Sequence, residues 1–234
     1  IKKIEDASKF APLHNPYELK VIKICLKKFK QKQIAVFDTE FFKDLPDYAK
    51  KYPIPESLAK KYKIERYGFH GLSHEYLLKE SKKLLKINNL NIITCQLGQG
   101  CSITAIKNGR PIDTSMGFTP LEGLMMGTRS GSIDPGIILF LKEKNLDYIL
   151  NKKSGLLGIS GFSGYMPELL KSKNKKAELA VKMFAYQVRK YIGSYQTLLN
   201  TLHALLFSVG IGDNEHKIRE LIIKDYPEIK LDYS

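Results

Sequence analysis

Apolar residues along this chain recur in two rhythms, one near 3.6 residues and one of two, and their alternation predicts an α/β fold. The clearest strand pattern lies in the middle. Ile92–Leu97 is a short apolar run, Gly98 and Gly100 break it, and Cys101–Lys107 alternates as a second strand. Asn108-Gly109 then predicts a tight hairpin turn, with Arg110–Thr114 returning beside the second strand. Further apolar runs predict strands at Ile34–Phe37, taken as buried, and at His203–Ser208. Helical spacing predicts a helix over Tyr17–Phe29, with Leu19, Ile22 and Leu26 on one stripe and Pro16 in its first turn. Shorter helices are predicted over Glu56–Lys61 and over Glu75–Leu85, the latter capped by Ser73. Another runs from Ile137 to about Leu150. The longest covers Lys175–Leu199, carries Ala180, Met183, Phe184, Val188, Tyr191 and Ile192 as its apolar positions, and has Gly193 where a close helix contact is expected. A last helix is predicted over Glu215–Lys224.

Composition narrows the reading. The chain has 234 residues and is 43% hydrophobic, enough for the core of one large domain or two small ones. Lys and Arg total 38 against 24 Asp and Glu, a formal charge of +14. Lysines dominate and are scattered through helical stretches with no aromatic interleaving, so a lysine-rich solvated surface accounts for the charge better than nucleic-acid binding. Cys25, Cys95 and Cys101 have no metal-ligand spacing and read as free thiols in a reducing compartment. No apolar run is long enough to span a bilayer, and a cytoplasmic location is expected.

The candidate chemistry lies in polar segments at the ends of strands. Two glycine loops, Gly98–Gly100 and Gly210–Gly212, each follow a predicted strand, and backbone N–H groups in such loops cradle phosphate oxygens. Neither matches the Walker pattern or the dinucleotide fingerprint. Gly68 and Gly71 bracket Phe69-His70, which lets the backbone approach a ligand closely, whereas His74 reads as solvated or capping and His14 as bonded within its own turn. Asp38, at the end of a strand, serves either catalysis or the cap of a following helical turn. Arg129 lies in a Gly-, Ser- and Thr-rich segment and either neutralises charge on a transferring phosphoryl group or pairs with Asp134 or Glu122. Together Asp38, His70, Arg129 and the two loops point to phosphoryl transfer.

Longer motifs carry a resemblance. APLHNP (11–16), AVFDTEF (35–41), RYGFHGLSH (66–74), ITAIKNGRPIDTSMGFTPLEGLMMGTRSGSIDPG (103–136), SGLLGIS (154–160), VRKYIG (188–193) and GIGDN (210–214) resemble the acetokinase family, within the acetate and sugar kinase/actin-like superfamily. The resemblance implies a duplicated actin-like, ribonuclease H-like fold, with residues 1–90 the remainder of an N-terminal domain and 91–234 a C-terminal domain, incomplete at both ends. It implies the reversible reaction of ATP with acetate to give ADP and acetyl phosphate, with Mg2+ and in a cytoplasmic homodimer. Propionate is a plausible second substrate. In family terms, Asp38 matches the acidic active-site residue, and His70 and Arg129 match the pair that meets the phosphoryl group. Gln96, Leu97, Gly98, Gln99 and Gly100 match one nucleotide-phosphate loop, and Gly210, Ile211, Gly212, Asp213 and Asn214 match the other. Tyr165, Met166 and Pro167 match the adenosine segment.

The departures are local. Gln96 and Gln99 stand where the family has His and Asn, Asp213 replaces Glu, and Val209 replaces Gly. Tyr165 and Pro167 replace an Asp and an Arg, and proline offers neither guanidinium donors nor its own N–H. The family's first strand with its Mg2+-associated Asn, an upstream substrate-contacting Arg and a C-terminal Glu fall outside residues 1–234. No metal ligand is therefore assigned, and the chain alone is expected to make acetyl phosphate near background. The other readings are a catalytically inactive remnant and a non-enzymatic nucleotide- or protein-binding module.

Overall fold

The computed structural model of the chain describes residues 1–8 and 15–226. Most of the turn expected at 11–16, His14 included, lies outside them. The centre is a four-stranded sheet of order β3-β2-β1-β4. β1 (Ile92–Leu97), β2 (Cys101–Lys107) and β3 (Arg110–Thr114) form an antiparallel meander turned by Asn108 and Gly109, both at positive φ. β4 (Ala204–Ser208) joins the other side of β1 and runs parallel to it, placing Gln96 between Ser102 and Ser208.

The helices in chain order are α1 (Lys2–Ala7), α2 (Asn15–Lys28), α3 (Asp47–Lys50), α4 (Glu56–Tyr62), α5 (Gly71–Leu85), α6 (Pro135–Leu141), α7 (Leu146–Lys152), α8 (Gly155–Ser160), α9 (Met166–Lys171), α10 (Lys175–Gln196), α11 (Val209–Asn214) and α12 (His216–Ile223). Both faces of the sheet are covered, so β1 is buried at every position and its sequence does not alternate. On one face Ile93, Cys95, Leu97, Ile103 and Ala105 meet Phe184, Val188 and Ile192 of α10. Truncating a fully buried aromatic such as Phe184 to Ala costs about 3–5 kcal/mol in settings of this kind. On the other face Leu78 of α5 packs with Leu90, Ile92 and Ile106. The boundary expected at 90/91 falls between α5 and the strand it lies on.

Four expectations change. Ile34–Phe37 is not a strand: it has no ladder partner among the described residues, and Ile34 and Val36 are 78% and 66% exposed. The helix from Ile137 is interrupted by Lys142 and Asn145 in the left-handed region, giving α6 and α7. The loop at Gly210–Gly212 is the body of a short helix, α11, opened by Ser208 in an extended conformation. Helix α5 begins at Gly71, earlier than Ser73. At Gly193 a Cβ would lie 2.9 Å from the Oη of Tyr226, which follows α12, so the close approach is to a side-chain hydroxyl and not to a packed helix. The three cysteines are free, and burial pushes the Cys101 thiol up to about 12. No helix among the described residues is long and apolar enough to cross a membrane.

Candidate functional site

Because β1 and β4 are parallel, Leu97 and Ser208 end at the same edge of the sheet, and the two glycine segments leave from there. The first is a tight turn into β2, in which Gly98 N–H donates to Gly100 O at 3.1 Å. Two candidate side chains converge on it. A Cβ on Gly100 would lie 2.5 Å from Arg129 Nη2 and 3.4 Å from His70 Nε2, so only glycine leaves the guanidinium and imidazole where they stand.

His70 reaches this place through Asp38. Gly71 N–H donates to Asp38 O at 2.9 Å, and a Cβ on Gly71 would overlap that oxygen at 2.0 Å. The Asp38 carboxylate accepts from His70 N–H at 2.5 Å and from Leu72 N–H at 3.3 Å. Asp38 thus caps α5, a helix thirty residues on, and its negative charge sits at the positive end of that helix. Between these contacts His70 takes a left-handed conformation, φ 61°. Its Nδ1 lies 2.8 Å from Ser102 Oγ on β2.

Behind it lies a group the sequence reading did not find. Ser102 Oγ is also 2.8 Å from His74 Nε2, and His74 Nδ1 is 2.7 Å from Thr94 Oγ1. His74 is wholly buried, with Phe42 packed edge-on, and burial pulls its imidazole down to about 3, so it is neutral. The expectation of a solvated or capping His74 is therefore corrected. The signal was present: Gly71, His74, Leu78 and Ser81 are the buried positions of α5, and their 3-4-3 spacing is that of a core-facing stripe.

Arg129 comes from the long connection between β3 and α6. Neither proposed ion pair forms. Glu122 pairs with Arg66 Nη2 at 2.9 Å and also bonds the Tyr52 hydroxyl, while Asp134 caps α6 by accepting from Gly136 N–H at 2.8 Å. Arg129 Nη1 donates to Pro120 O at 2.8 Å. Its backbone is fixed by Met126 N–H donating to Arg129 O at 3.0 Å, and Gly155 is pressed against the same strand of the loop. Burial pulls the guanidinium down from its usual range, and no carboxylate among the described residues lies within ion-pairing distance. A half-buried cation with no counter-charge among the described residues, beside a glycine turn, is suited to an anion.

The remaining candidate residues fall into two groups. Gln99 ties the first turn to the 163–167 segment: Gly127 N–H donates to Gln99 O at 3.1 Å, and Gln99 Nε2 donates to Gly164 O at 3.4 Å. Tyr165 is the exposed N-cap residue of α9 and Pro167 lies in its first turn. Across the sheet edge, Val209 Cγ1 stands 3.0 Å from where a Gly98 Cβ would be, and Gly210 faces open space. Asp213 and Asn214 are exposed, and Arg219 holds the carbonyls of Gly212 and Asp213 at 2.7 Å. By contrast Leu97, Met166 and Ile211 belong to the core, so their side chains do not face this space, and Gln96 is 8% exposed.

A meander of three strands with a fourth parallel to the first, helices on both faces and glycine turns at one end defines one lobe of the actin-like and sugar-kinase architecture. Comparison with known proteins gives the narrower assignment. The sequence profile of the acetokinase family matches residues 1–232, and the chain belongs to that family. It is 50% identical over 238 residues to the acetate kinase of Brachyspira hyodysenteriae, covering 98% of this chain and 60% of that protein. It is likewise 50% identical over 236 residues to the acetate kinase of Thermoanaerobacterium thermosaccharolyticum, covering 95% and 59%. Among solved structures, a propionate kinase from Francisella tularensis superposes with a TM-score of 0.93 at 43% identity, covering 97% of this chain and 62% of that one. The acetate kinase of Porphyromonas gingivalis superposes with 0.91 at 40% identity, covering 96% and 59%. The chain thus spans about three fifths of the length of these relatives.

Proposed function

We propose that this chain is the phosphoryl-binding part of an acetate kinase, which transfers a phosphoryl group reversibly from ATP to acetate, giving ADP and acetyl phosphate. The observation that carries the reading is the convergence of Arg129 Nη2 and His70 Nε2 on Gly100, with no carboxylate set against Arg129 among the described residues. Such a corner favours the equatorial oxygens of a phosphoryl group in transfer, where charge spreads over three atoms. Arg129 offers a planar fork to two of them and His70 a single ring nitrogen. Asp38 holds the His70 backbone in place and acts through it.

The residues present fit the phosphates of ATP. The Gly100 position leaves the Arg129 guanidinium and His70 imidazole uncrowded, and Gly210 leaves open space on the neighbouring segment. Tyr165 and Pro167 offer little that would select adenine, so phosphate recognition dominates in this part of the protein. For Mg2+ the fit is thinner: no cluster of three ligating side chains occurs among the described residues, and both Asp38 oxygens already accept backbone hydrogens. Mg2+, when bound with the nucleotide, would supply neutralisation of phosphate charge, and none of the described residues is assigned as its ligand. Acetate, a second copy of the chain and a cytoplasmic setting belong to the same proposal, with propionate as the competing acyl substrate.

The test is hydroxylamine trapping of acetyl phosphate by a polypeptide in which residues 1–234 replace the matching segment of a full-length relative. Turnover within tenfold of that relative is expected. Turnover at background, with the hybrid folded, would refute the reading. Acetate and propionate compared in the same assay decide the acyl preference.

A further inference from the structure

We propose that Thr94, His74 and Ser102 form a hydrogen-bond relay that sets the tautomer of His70, keeping its ring hydrogen on Nε2, the nitrogen that faces Gly100 beside Arg129. The four groups lie in line, with Thr94 Oγ1 2.7 Å from His74 Nδ1, His74 Nε2 2.8 Å from Ser102 Oγ, and Ser102 Oγ 2.8 Å from His70 Nδ1. A serine hydroxyl has one hydrogen, so Ser102 donates to only one of its two imidazole neighbours and accepts from the other. Which one is decided at the far end of the line.

Thr94 is wholly buried, and among the described residues its hydroxyl bonds to His74 Nδ1 alone. A buried O–H without an acceptor is costly, so Thr94 donates to His74 Nδ1. His74 is neutral and fully buried, so its one hydrogen then sits on Nε2 and is donated to Ser102 Oγ. The Ser102 hydrogen goes to His70 Nδ1, which must be an acceptor. The His70 hydrogen is left on Nε2. Reversing every bond satisfies the three inner contacts equally well but strands the Thr94 hydrogen inside the protein. The whole preference therefore rests on one hydroxyl, two residues removed from His70 in the line.

The chemical result is a division of labour at the corner. Arg129 brings the positive charge, and His70 brings an uncharged N–H donor that needs no proton from solvent. Thr94, His74 and Ser102 are positioning residues that act through His70. This use of the Nε2 hydrogen rests on the anion-site reading above; the tautomer itself does not.

The test is long-range 1H–15N correlation of the imidazoles in the 15N-labelled 234-residue chain, above the pH at which its five histidines are neutral. His70 is assigned by loss of its signals in His70→Gln. In the wild type and in Thr94→Ser, His70 is expected to show a protonated Nε2 and an unprotonated Nδ1. In Thr94→Val, which keeps the shape and removes the donor, the Nδ1–H form of His70 should rise severalfold. A wild-type His70 with its hydrogen on Nδ1 overturns the proposal, whether or not Thr94→Val folds. So does an unchanged pattern in folded Thr94→Val. Tripolyphosphate is then titrated into the wild type. If the His70 Nε2–H signal does not move while the tautomer pattern holds, the anion reading fails and the relay stands.

Discussion

Gly98–Gly100 and Gly210–Gly212 follow neighbouring parallel strands and share a glycine spacing, yet the first is a turn walled by protein and the second is part of a helix with space beside it. At Gly100 the wall is made of the Arg129 guanidinium and the His70 imidazole. At Gly210 nothing stands within 4 Å of a would-be Cβ. Between them Val209 holds a positive φ of 67°, a strained conformation for a β-branched residue, and presses its methyl toward Gly98. Glycine spacing alone thus says that the backbone is free to turn; what surrounds the glycine decides whether the turn is a ligand cradle or a helix start.

The largest effect is expected on the walled side. In a full-length hybrid, Arg129→Ala should lower kcat about a hundredfold or more, roughly 3–4 kcal/mol in the barrier, with little change in nucleotide affinity. Asp134→Ala should remove only the α6 cap, costing about 1 kcal/mol of stability and leaving kcat near normal. Equal kcat losses in both variants would make Arg129 a structural anchor.

The relay behind His70 gives the next effect. His74 is neutral in the folded chain down to about pH 3, but takes up a proton near pH 6.5 once unfolded. Above pH 6.5 the group has no leverage. As pH falls below 6.5 the unfolded state binds the extra proton, and stability should drop by about 1.4 kcal/mol per pH unit until about pH 3. His74→Gln should flatten that slope in urea titrations at stepped pH; an unchanged slope would mean that other groups carry it.

Smaller effects belong to the open side. Val209→Gly should raise stability by about 1 kcal/mol, since relief of the strained φ outweighs the added freedom of the unfolded chain. Gly210→Ala should also stabilise, by about 0.5–1 kcal/mol, because the new methyl meets nothing and lies in a helix. Melting temperatures of the two variants rank these terms, and a fall on Gly210→Ala would show that the space is needed by the chain itself.

The meander was legible because Asn108-Gly109 fixes a turn whose geometry is local. The helices α5 and α10 were legible from their stripes, within a few residues at their ends. What was lost depended on partners distant in sequence. Ile34–Phe37 has the composition of a buried strand but no neighbour to pair with among the described residues. Asp38 caps a helix that begins far along the chain, so local reading offered only the nearest turn. Arg129 was left between Glu122, Asp134 and an anion, and setting the two carboxylates aside required seeing Arg66 take Glu122 and Asp134 cap α6. Thr94 and Ser102 sit on strands buried on both faces, where a polar position in the pattern does not mark a solvent-facing side.

The pairing of β4 with β1 has a consequence for the order in which the fold assembles. The turns of the meander close over a few residues, whereas Asn91 N–H meets His203 Nδ1 across 112 residues. Closing the longer loop costs about five doublings of length, roughly 3 kcal/mol more in chain entropy. The meander with Gly98–Gly100 is therefore expected to form early, and β4 to dock late, carrying Val209 and α11 with it. The two glycine segments come side by side only at that last step, so hydrogen exchange should find β4 opening more readily than β2.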